Sequence, residues 1–271
     1  MRVILSISSD IGTALALKWI EDGFCVSGTY RTKSKNVELL ESKGAQLAHC
    51  DFANKDSIVN AANFILGLGD WEVLVLSAGT QDPIGLFSEI DFNIWESSVE
   101  ANFLGMVRFL HMALGRSTNV SQKSVIFFAG GATNNATERY SSYTISKIAS
   151  IKLCELLDFE NDLVKFTILG PGWVKTKIHN ATLANPVMAG SNHEKTVEML
   201  NGLEMNPMEN VIDCCDWVIQ QPKSVVGGRN FSVVHDAWGS PNLKEELLAN
   251  KHLYKLRRFG NELKFTEKDN L

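Results

Sequence analysis

Seven short apolar runs recur along this chain, and longer stretches with a helical pattern of apolar residues separate them. The runs cover residues 3–6, 26–30, 46–50, 73–77, 125–129, 166–169 and 231–234. Continuous apolar strands that alternate with helices are typical of a parallel sheet covered on both faces, because such strands are buried on both sides. Several helical stretches close at a glycine, as at Gly23, Gly44 and Gly67, which suits a left-handed helix end. The pattern predicts an α/β fold with a doubly wound parallel sheet of about seven strands.

The composition is that of an ordinary globular domain and excludes several function classes. The 271 residues are 45% hydrophobic and 21% charged, with a net charge of −5. This net negative charge, together with the lack of a run of basic residues, argues against nucleic acid as a partner. No apolar run approaches the ~20 residues of a membrane span. Five cysteines without paired metal spacing indicate reduced thiols, so we expect a cytoplasmic protein without a bound metal.

The chain shows no internal repeat and no Pro-rich or Gly/Ser-rich linker, so one domain is expected over residues 1–235. Residues 175–205 interrupt the alternation with Asn, Gly, Pro and His. Because ligands bind beyond the carboxyl ends of the strands in such sheets, we interpret this segment as a loop-like substrate lid. Residues 236–271 follow the last apolar run, and we expect them to pack on the same domain as a C-terminal extension.

The first apolar run leads directly into the turn Ser6-Ile-Ser-Ser-Asp-Ile-Gly12 and then into a helical stretch. A strand, a tight turn and a helix start present free N–H groups and a positive dipole end, which suits a pyrophosphate. Asp10 is expected to cap some of those N–H groups with its carboxylate. The alternative is a plain strand-to-helix turn that binds no nucleotide.

Tyr143-Thr-Ile-Ser-Lys147 places a phenol and an ammonium group four residues apart. On a helix, residues at this spacing project from one face. The ammonium is then expected to favour the ionised phenol and to lower its pKa toward the range useful for general acid/base catalysis. Taken alone, the spacing is also that of a tyrosine at a helix edge beside a solvated lysine.

The order of these motifs resembles the short-chain dehydrogenase/reductase family along residues 1–235. After the first turn come Arg31, Asp51, the sequence Leu76-Ser-Ala-Gly79 and Asn102, then Tyr143 with Lys147, and finally the sequence Pro171-Gly-Trp-Val-Lys-Thr176. The resemblance implies a single Rossmann-like domain and a dinucleotide cofactor. The family's first turn has three glycines, of which only Gly12 is present, because Ser6 and Asp10 occupy the other two places.

The resemblance also implies which residues contact the dinucleotide. These are Ser6, Ser8, Ser9, Asp10, Ile11, Gly12, Arg31, Asp51, Phe52, Ala78, Gly79, Tyr143, Lys147, Pro171, Gly172, Val174 and Thr176. Members that use NAD usually carry an acidic residue at the end of the second strand, where this chain has Tyr30 followed by Arg31. A guanidinium there is able to hold the 2′-phosphate of NADP, so NADP(H) is predicted over NAD(H).

By resemblance, Tyr143 exchanges a proton with the substrate, Lys147 assists the phenol and binds the nicotinamide ribose, and Asn102 opens the helix backbone to a proton-carrying water. The family's serine stands thirteen residues before the tyrosine, and this chain has Gly130 at that position. That serine donates a hydrogen bond to the substrate oxygen. Thr133 is the preferred replacement donor, with Asn134, Ser141 and Ser142 as alternatives.

The sequence therefore predicts an NADP(H)-dependent oxidoreductase that interconverts a hydroxyl and a carbonyl on a small molecule. A sugar or sugar nucleotide is the candidate substrate, because Gly130-Gly-Ala-Thr-Asn134 is similar to a subgroup linked to bacterial surface-sugar metabolism. Two alternatives stay open: a sugar-nucleotide epimerase or dehydratase, and a non-catalytic nucleotide-binding protein. A homodimer or homotetramer is expected.

Overall fold

The protein is represented by a computed structural model that describes residues 1–116, 122–202 and 205–258. Seven strands form one parallel sheet in the order β3-β2-β1-β4-β5-β6-β7. The strands are β1 (Arg2–Leu5), β2 (Val26–Tyr30), β3 (Gln46–His49), β4 (Val73–Leu76), β5 (Lys123–Phe128), β6 (Val164–Gly170) and β7 (Arg229–Ser232). The predicted doubly wound parallel sheet is confirmed. Its strand order reverses between β1 and β4, and in open α/β sheets such a reversal leaves a crevice at the carboxyl ends of the strands.

Helices cover both faces of the sheet. They are α1 (Asp10–Glu21), α2 (Lys35–Ser42), α3 (Lys55–Gly67), α4 (Phe92–Val99), α5 (Gly105–Gly115), α6 (Ser141–Glu160), α7 (Asn180–Ala184), α8 (Pro186–Ala189), α9 (Ser191–Asn201), α10 (Met208–Gln220), α11 (Lys223–Val226) and α12 (Pro241–Ala249). A π-helical turn, Glu100–Leu104, joins α4 to α5. Among the described residues, no helix is both long enough and apolar enough to cross a bilayer.

Two separate cores lie on the two faces of the sheet, because successive strand residues point to opposite sides. In β4, Leu74 and Leu76 pack with α3, α5 and α6. Val73 and Val75 face the other way and pack with α1, α10 and α12. Cys214 and Cys215 are free, buried thiols that pack in this second core.

The strands β5 and β6 each start two residues before their apolar runs, and each carries a buried lysine in those added residues. Lys123 opens β5 at 1% exposure, and its ammonium binds the carboxylate of Asp70 and the carbonyl of Trp71. Lys165 in β6 is 3% exposed and donates to the carbonyls of Ile219 and Gln221 at the end of α10. Both ammonium groups can be buried because each donates hydrogen bonds to several oxygen atoms.

The segment 175–205 is mainly helical, so the expected loop-like structure is wrong. It contains the short turn Lys177–His179 and then α7, α8 and α9. Asn185 and Gly190, which suggested a loop, instead mark the ends of these short helices, and Gly190 has φ of 57°. Thr182 anchors the segment, since it bonds the Tyr140 hydroxyl at 2.8 Å and Gln81 Oε1 at 2.8 Å. Residues 203–204 of the expected lid lie outside the described residues.

The described part of the C-terminal extension packs beside β7 and α6. Tyr254 stacks edge-on against Phe231. The guanidinium of Arg229 donates to carbonyls at and beyond the end of α12, including that of Leu247 at 2.6 Å. Arg257 forms a two-pronged ion pair with Glu155 of α6, which lowers the pKa of that carboxyl to about 2. Residues 259–271 of the expected extension lie outside the described residues.

Candidate functional site

A cleft of about 1700 Å³ opens at the carboxyl ends of the strands. Its walls come from the turn after β1, the ends of β2, β4, β5 and β6, the start of α6, the 176–181 region and the C-terminal segment. Every predicted cofactor contact except Gly12 lines this cleft, and so do Asn102 and Thr133. Gly12 does not line the cleft. A Cβ at Gly12 would be only 2.6 Å from the carbonyl oxygen of Ser6. The glycine lets α1 approach the turn closely.

The N-terminus of α1 points its free N–H groups at the cleft. Ser9 is the cap residue, and its hydroxyl accepts from the Gly12 N–H at 3.0 Å. The structure gives the N–H groups of Asp10 and Ile11 no acceptor within the described residues. Asp10 was expected to cap this end and does not. Its carboxylate instead accepts from the backbone N–H of Lys177 at 2.6 Å and lies 3.6 Å from the Lys177 ammonium.

Ser6 occupies a backbone conformation that favours glycine, with φ of 63°. Two neighbours hold it there. Thr29 Oγ1 accepts from the Ser6 N–H at 2.9 Å, and the Ser77 hydroxyl donates to the carbonyls of Leu5 at 2.7 Å and Ser6 at 3.3 Å. A left-handed conformation costs a non-glycine residue about 1–2 kcal/mol. The turn therefore keeps the geometry of a glycine turn at the expense of local strain.

Arg31 follows β2 on the rim of the cleft, exposed to solvent. The structure gives its guanidinium no hydrogen-bond partner among the described residues. Asp51 and Phe52 follow β3 on the same side of the cleft, and Phe52 is 7% exposed. The Asp51 carboxylate accepts from the N–H of Ala53 at 3.0 Å. Arg31 is consequently the cation available at this end of the cleft.

Tyr143 and Lys147 lie on one face of α6, as their spacing predicts. The Lys147 ammonium is 5.6 Å from the centre of the Tyr143 ring and 3.5 Å from the carbonyl oxygen of Ala78. A Cβ at Gly79 would lie 3.6 Å from the same ammonium and 3.7 Å from Asn102 Oδ1. The three predicted side chains therefore converge on one region of the cleft, next to the bare backbone of Gly79.

Burial, and not the neighbouring charge, is the main cause of the pKa shifts of Tyr143 and Lys147. Burial raises the pKa of Tyr143 to about 12 and lowers the pKa of Lys147 to about 8. The expectation that Lys147 lowers the pKa of the phenol is therefore wrong for this structure. The physical reason is that both groups are removed from water, which disfavours the charged form of each.

Asn102 lies within the π-helical turn and is completely buried. Its Oδ1 accepts from the Thr80 N–H at 2.7 Å, and its Nδ2 donates to the Thr80 carbonyl at 3.0 Å. The same Nδ2 reaches the hydroxyl of Ser98 at 3.0 Å. The amide thus fixes the backbone that follows Gly79, and the wider turn of the helix makes room for it.

Gly130 faces the phenol. A Cβ at this position would lie 2.8 Å from both Cε1 and Oη of Tyr143, so the ring occupies space that a side chain would need. The Thr133 hydroxyl lines the cleft and donates to the Gly130 carbonyl at 2.9 Å. Ser141 accepts from the indole of Trp95 at 2.9 Å. Ser142 is fully buried, and its hydroxyl has no partner among the described residues. Neither serine lines the cleft.

Several cleft residues were missed by the sequence reasoning. His179 is 8% exposed, stacks on Trp173 with ring centres 5.1 Å apart, and burial lowers its pKa. Lys177 pairs with Asp10 across 167 residues of sequence, and Tyr254 enters from the C-terminal extension. No local pattern signals such contacts, because they depend on how distant segments meet. The described residues contain no cluster of three or more His, Cys, Asp or Glu able to hold a metal.

Comparison with known proteins identifies the family. The model of the short chain dehydrogenase family matches residues 2–186. The chain belongs to this family. It is 23% identical to serine 3-dehydrogenase of Agrobacterium fabrum over 237 residues, which is 82% of this chain and 89% of that protein. It is 26% identical to an uncharacterized oxidoreductase of Saccharomyces cerevisiae over 211 residues, with 75% and 82% coverage.

Solved structures show the same fold. A short chain dehydrogenase/reductase from Saccharomyces cerevisiae superimposes with a TM-score of 0.74 at 22% identity, covering 90% of this chain and 99% of that one. A serine dehydrogenase in complex with NADP⁺ gives 0.72 at 19% identity, with 89% and 98% coverage. This short-chain dehydrogenase is thus an α/β oxidoreductase of a family that uses NAD(P) cofactors.

Proposed function

We propose that this short-chain dehydrogenase is an NADP(H)-dependent oxidoreductase that interconverts a hydroxyl and a carbonyl on a small polar molecule. One observation carries the proposal. Tyr143, Lys147 and Asn102 converge beside Gly79 in the same cleft that receives the N-terminus of α1. A proton-exchanging group and a dinucleotide-binding helix end in one cleft are what a hydride-transfer enzyme needs.

The residues of the cleft fit a dinucleotide. The free N–H groups of Asp10 and Ile11 suit a pyrophosphate. The bare surface of Gly79 leaves room for a nicotinamide ribose beside the Lys147 ammonium, and Arg31 suits a 2′-phosphate. Thr176 lies on the cleft wall two residues after Val174. The bound cofactor supplies or accepts the hydride; the protein supplies binding, orientation and the proton.

Tyr143 is the proposed proton donor to a carbonyl and proton acceptor from an alcohol. Its hydroxyl has no hydrogen-bond partner among the described residues, so it is free to meet a substrate oxygen. Because its pKa is raised to about 12, the phenol is neutral near neutral pH and suited to donate. Lys147 is proposed to bind the nicotinamide ribose with its ammonium. Asn102 holds the backbone of Thr80 in place.

Thr133 is the proposed hydrogen-bond donor to the substrate oxygen, in place of the serine replaced by Gly130. Its hydroxyl already points at the Gly130 carbonyl, within the cleft. Rotation about χ1 would free the proton for a substrate oxygen. Asn134 lines the cleft next to it and is the second candidate. Ser141 and Ser142 drop out because neither lines the cleft.

The proposed substrate is a sugar or a sugar nucleotide. The cleft wall beyond Gly130 is polar, since Thr133, Asn134, Asn135 and Asn192 all line it, and such groups suit a polyhydroxylated ligand. A hydroxy amino acid, as the name of the Agrobacterium relative indicates, is the second class to test. Exposed apolar side chains on α4 and α6, such as Ile94 at 57% and Ile145 at 52%, support a homodimer or homotetramer.

A non-catalytic nucleotide-binding protein is the second candidate function, because Gly130 removes a family donor and Asp10 brings a negative charge to the helix end. Isothermal titration with NADPH and NADH, followed by a turnover screen over sugars and hydroxy amino acids, separates the two functions. We expect NADPH to bind at least about tenfold tighter, and Arg31→Ala to remove most of that difference. Equal affinities would refute the NADP(H) assignment, and binding without turnover would favour the non-catalytic function.

A further inference from the structure

Asp10 places a carboxylate at the N-terminal end of α1. The proposed function places a pyrophosphate at this same end. It is the first residue of α1, next to the cap residue Ser9. Ser9 caps the helix by accepting from the Gly12 N–H, and among the described residues the structure shows no hydrogen bond from a helix N–H group to the Asp10 carboxylate. Its side chain is 23% exposed and turns toward the segment after Thr176.

Lys177 meets that carboxylate with two groups. Its backbone N–H donates to Asp10 Oδ2 at 2.6 Å, and its ammonium lies 3.6 Å from Asp10 Oδ1. The backbone contact is short and charge-assisted, and bonds of this kind are about twice as strong as neutral ones. The ammonium contact is longer, and the Lys177 side chain is 66% exposed. The ammonium is therefore free to move to a second anion nearby.

The contact also joins two walls of the cleft. Lys177 starts the short helical turn that leads into α7, α8 and α9, and Asp10 starts α1 on the opposite side. A dinucleotide pyrophosphate on the Asp10 and Ile11 N–H groups would lie within a few ångströms of both side chains. It would be repelled by the carboxylate and attracted by the ammonium.

We propose that Lys177 is a pyrophosphate-binding residue and that Asp10 is a built-in anion that competes with the pyrophosphate for Lys177 and for the start of α1. This inference rests on the proposed function, because it requires a dinucleotide in the cleft. Its consequence is a weakened affinity for NADPH and NADH alike. It differs from the role of Arg31, which acts on the 2′-phosphate alone.

Three variants test the proposal by isothermal titration with NADPH and NADH at one fixed salt concentration. Asp10→Asn keeps an oxygen for the Lys177 N–H but removes the charge. Lys177→Met removes the ammonium and keeps the length of the side chain. Lys175→Met is the matched control, because Lys175 is an exposed lysine two residues away that does not line the cleft. Adenosine 2′-phosphate, which has no pyrophosphate, is the control ligand, measured by competition against NADPH.

We expect Asp10→Asn to tighten the binding of both dinucleotides by about tenfold and Lys177→Met to weaken both by about tenfold. Lys175→Met should change neither, and no variant should change the affinity for adenosine 2′-phosphate. A thermal melt establishes that each variant is folded, and Lys177→Gln replaces Lys177→Met if the latter is not.

Unchanged or weaker dinucleotide binding by Asp10→Asn would overturn the competition. An equal effect of Lys175→Met would overturn the specific role of Lys177. A parent protein that binds neither dinucleotide would instead refute the proposed function, and the inference would fall with it. Binding by the parent with no response in the variants refutes the inference alone.

Discussion

Lys147→Met should stabilise the protein while it removes catalytic function. Lys147 is 4% exposed, and among the described residues its ammonium has one long hydrogen bond, 3.5 Å to the carbonyl of Ala78. Burial lowers its pKa from 10.5 to about 8. Because each pKa unit corresponds to about 1.4 kcal/mol, keeping this group charged in the fold costs about 3 kcal/mol near neutral pH. Methionine has a similar length and no charge, so the free energy of unfolding should rise by about 2–3 kcal/mol.

The pH dependence has a definite sign. The pKa of Lys147 is lower in the folded protein than in the unfolded chain, so between about 8 and 10.5 the unfolded chain binds more protons. The parent protein therefore gains stability as the pH rises through that window, and below it the cost is fully present. Urea unfolding at about pH 7 and about pH 10 measures this. The advantage of Lys147→Met should be large at the lower pH and shrink at the higher one.

Lys165→Met is the contrasting variant. Burial also lowers the pKa of Lys165 to about 8, but its ammonium donates to two carbonyls at the end of α10. Its removal leaves those acceptors unpaired, which costs about 1–3 kcal/mol for each buried group. Lys165→Met should accordingly be less stable than Lys147→Met, because the unpaired carbonyls offset the relief of burial. A Lys147→Met protein that is no more stable than the parent at about pH 7, or whose advantage does not shrink at about pH 10, would refute the reasoning.

Three further predictions concern the cleft. Ser6→Gly should raise the free energy of unfolding by up to about 1 kcal/mol, since it relieves a left-handed serine; a loss of stability in urea unfolding would show that the Thr29 and Ser77 contacts do not strain this residue. Gly130→Ser should lower both stability, by about 1–3 kcal/mol, and turnover, because the new Cβ displaces the Tyr143 ring. Thr133→Ala should slow turnover by about ten- to a thousandfold with unchanged cofactor affinity. Faster turnover by Gly130→Ser together with no effect of Thr133→Ala would favour a decayed enzyme.

The strands were predictable because burial on both faces leaves a continuous apolar run, as in β1 and β4. The early starts of β5 and β6 were not, since Lys123 and Lys165 look like surface residues until their oxygen partners in distant segments are known. The helices of residues 177–201 were not predicted, because Asn185, Pro186 and Gly190 are typical of loops. In the structure these residues separate short helices.

The candidate site was likewise predictable from the sequence only in part. Tyr143 and Lys147 share a helix face, and four-residue spacing predicts that directly. The structure also brings Asn102 close to Gly79, and the sequence analysis did not predict this proximity. The partner of Asp10 was not predictable, because Lys177 reaches it through the topology of the sheet and not through local sequence. The pKa of Tyr143 was mispredicted for a related reason: the degree of burial is a property of the packed structure.

The most direct test of the central claim is the turnover of Tyr143→Phe with NADPH and a carbonyl substrate found by the screen. The substitution removes one oxygen that has no partner among the described residues, so fold and cofactor affinity should stay close to those of the parent protein. Thermal unfolding and NADPH titration verify both. Proton donation by Tyr143 predicts that turnover falls by at least about a hundredfold. Near-normal turnover by a folded, NADPH-binding Tyr143→Phe protein would show that another group moves the proton and would contradict the proposed function of this site.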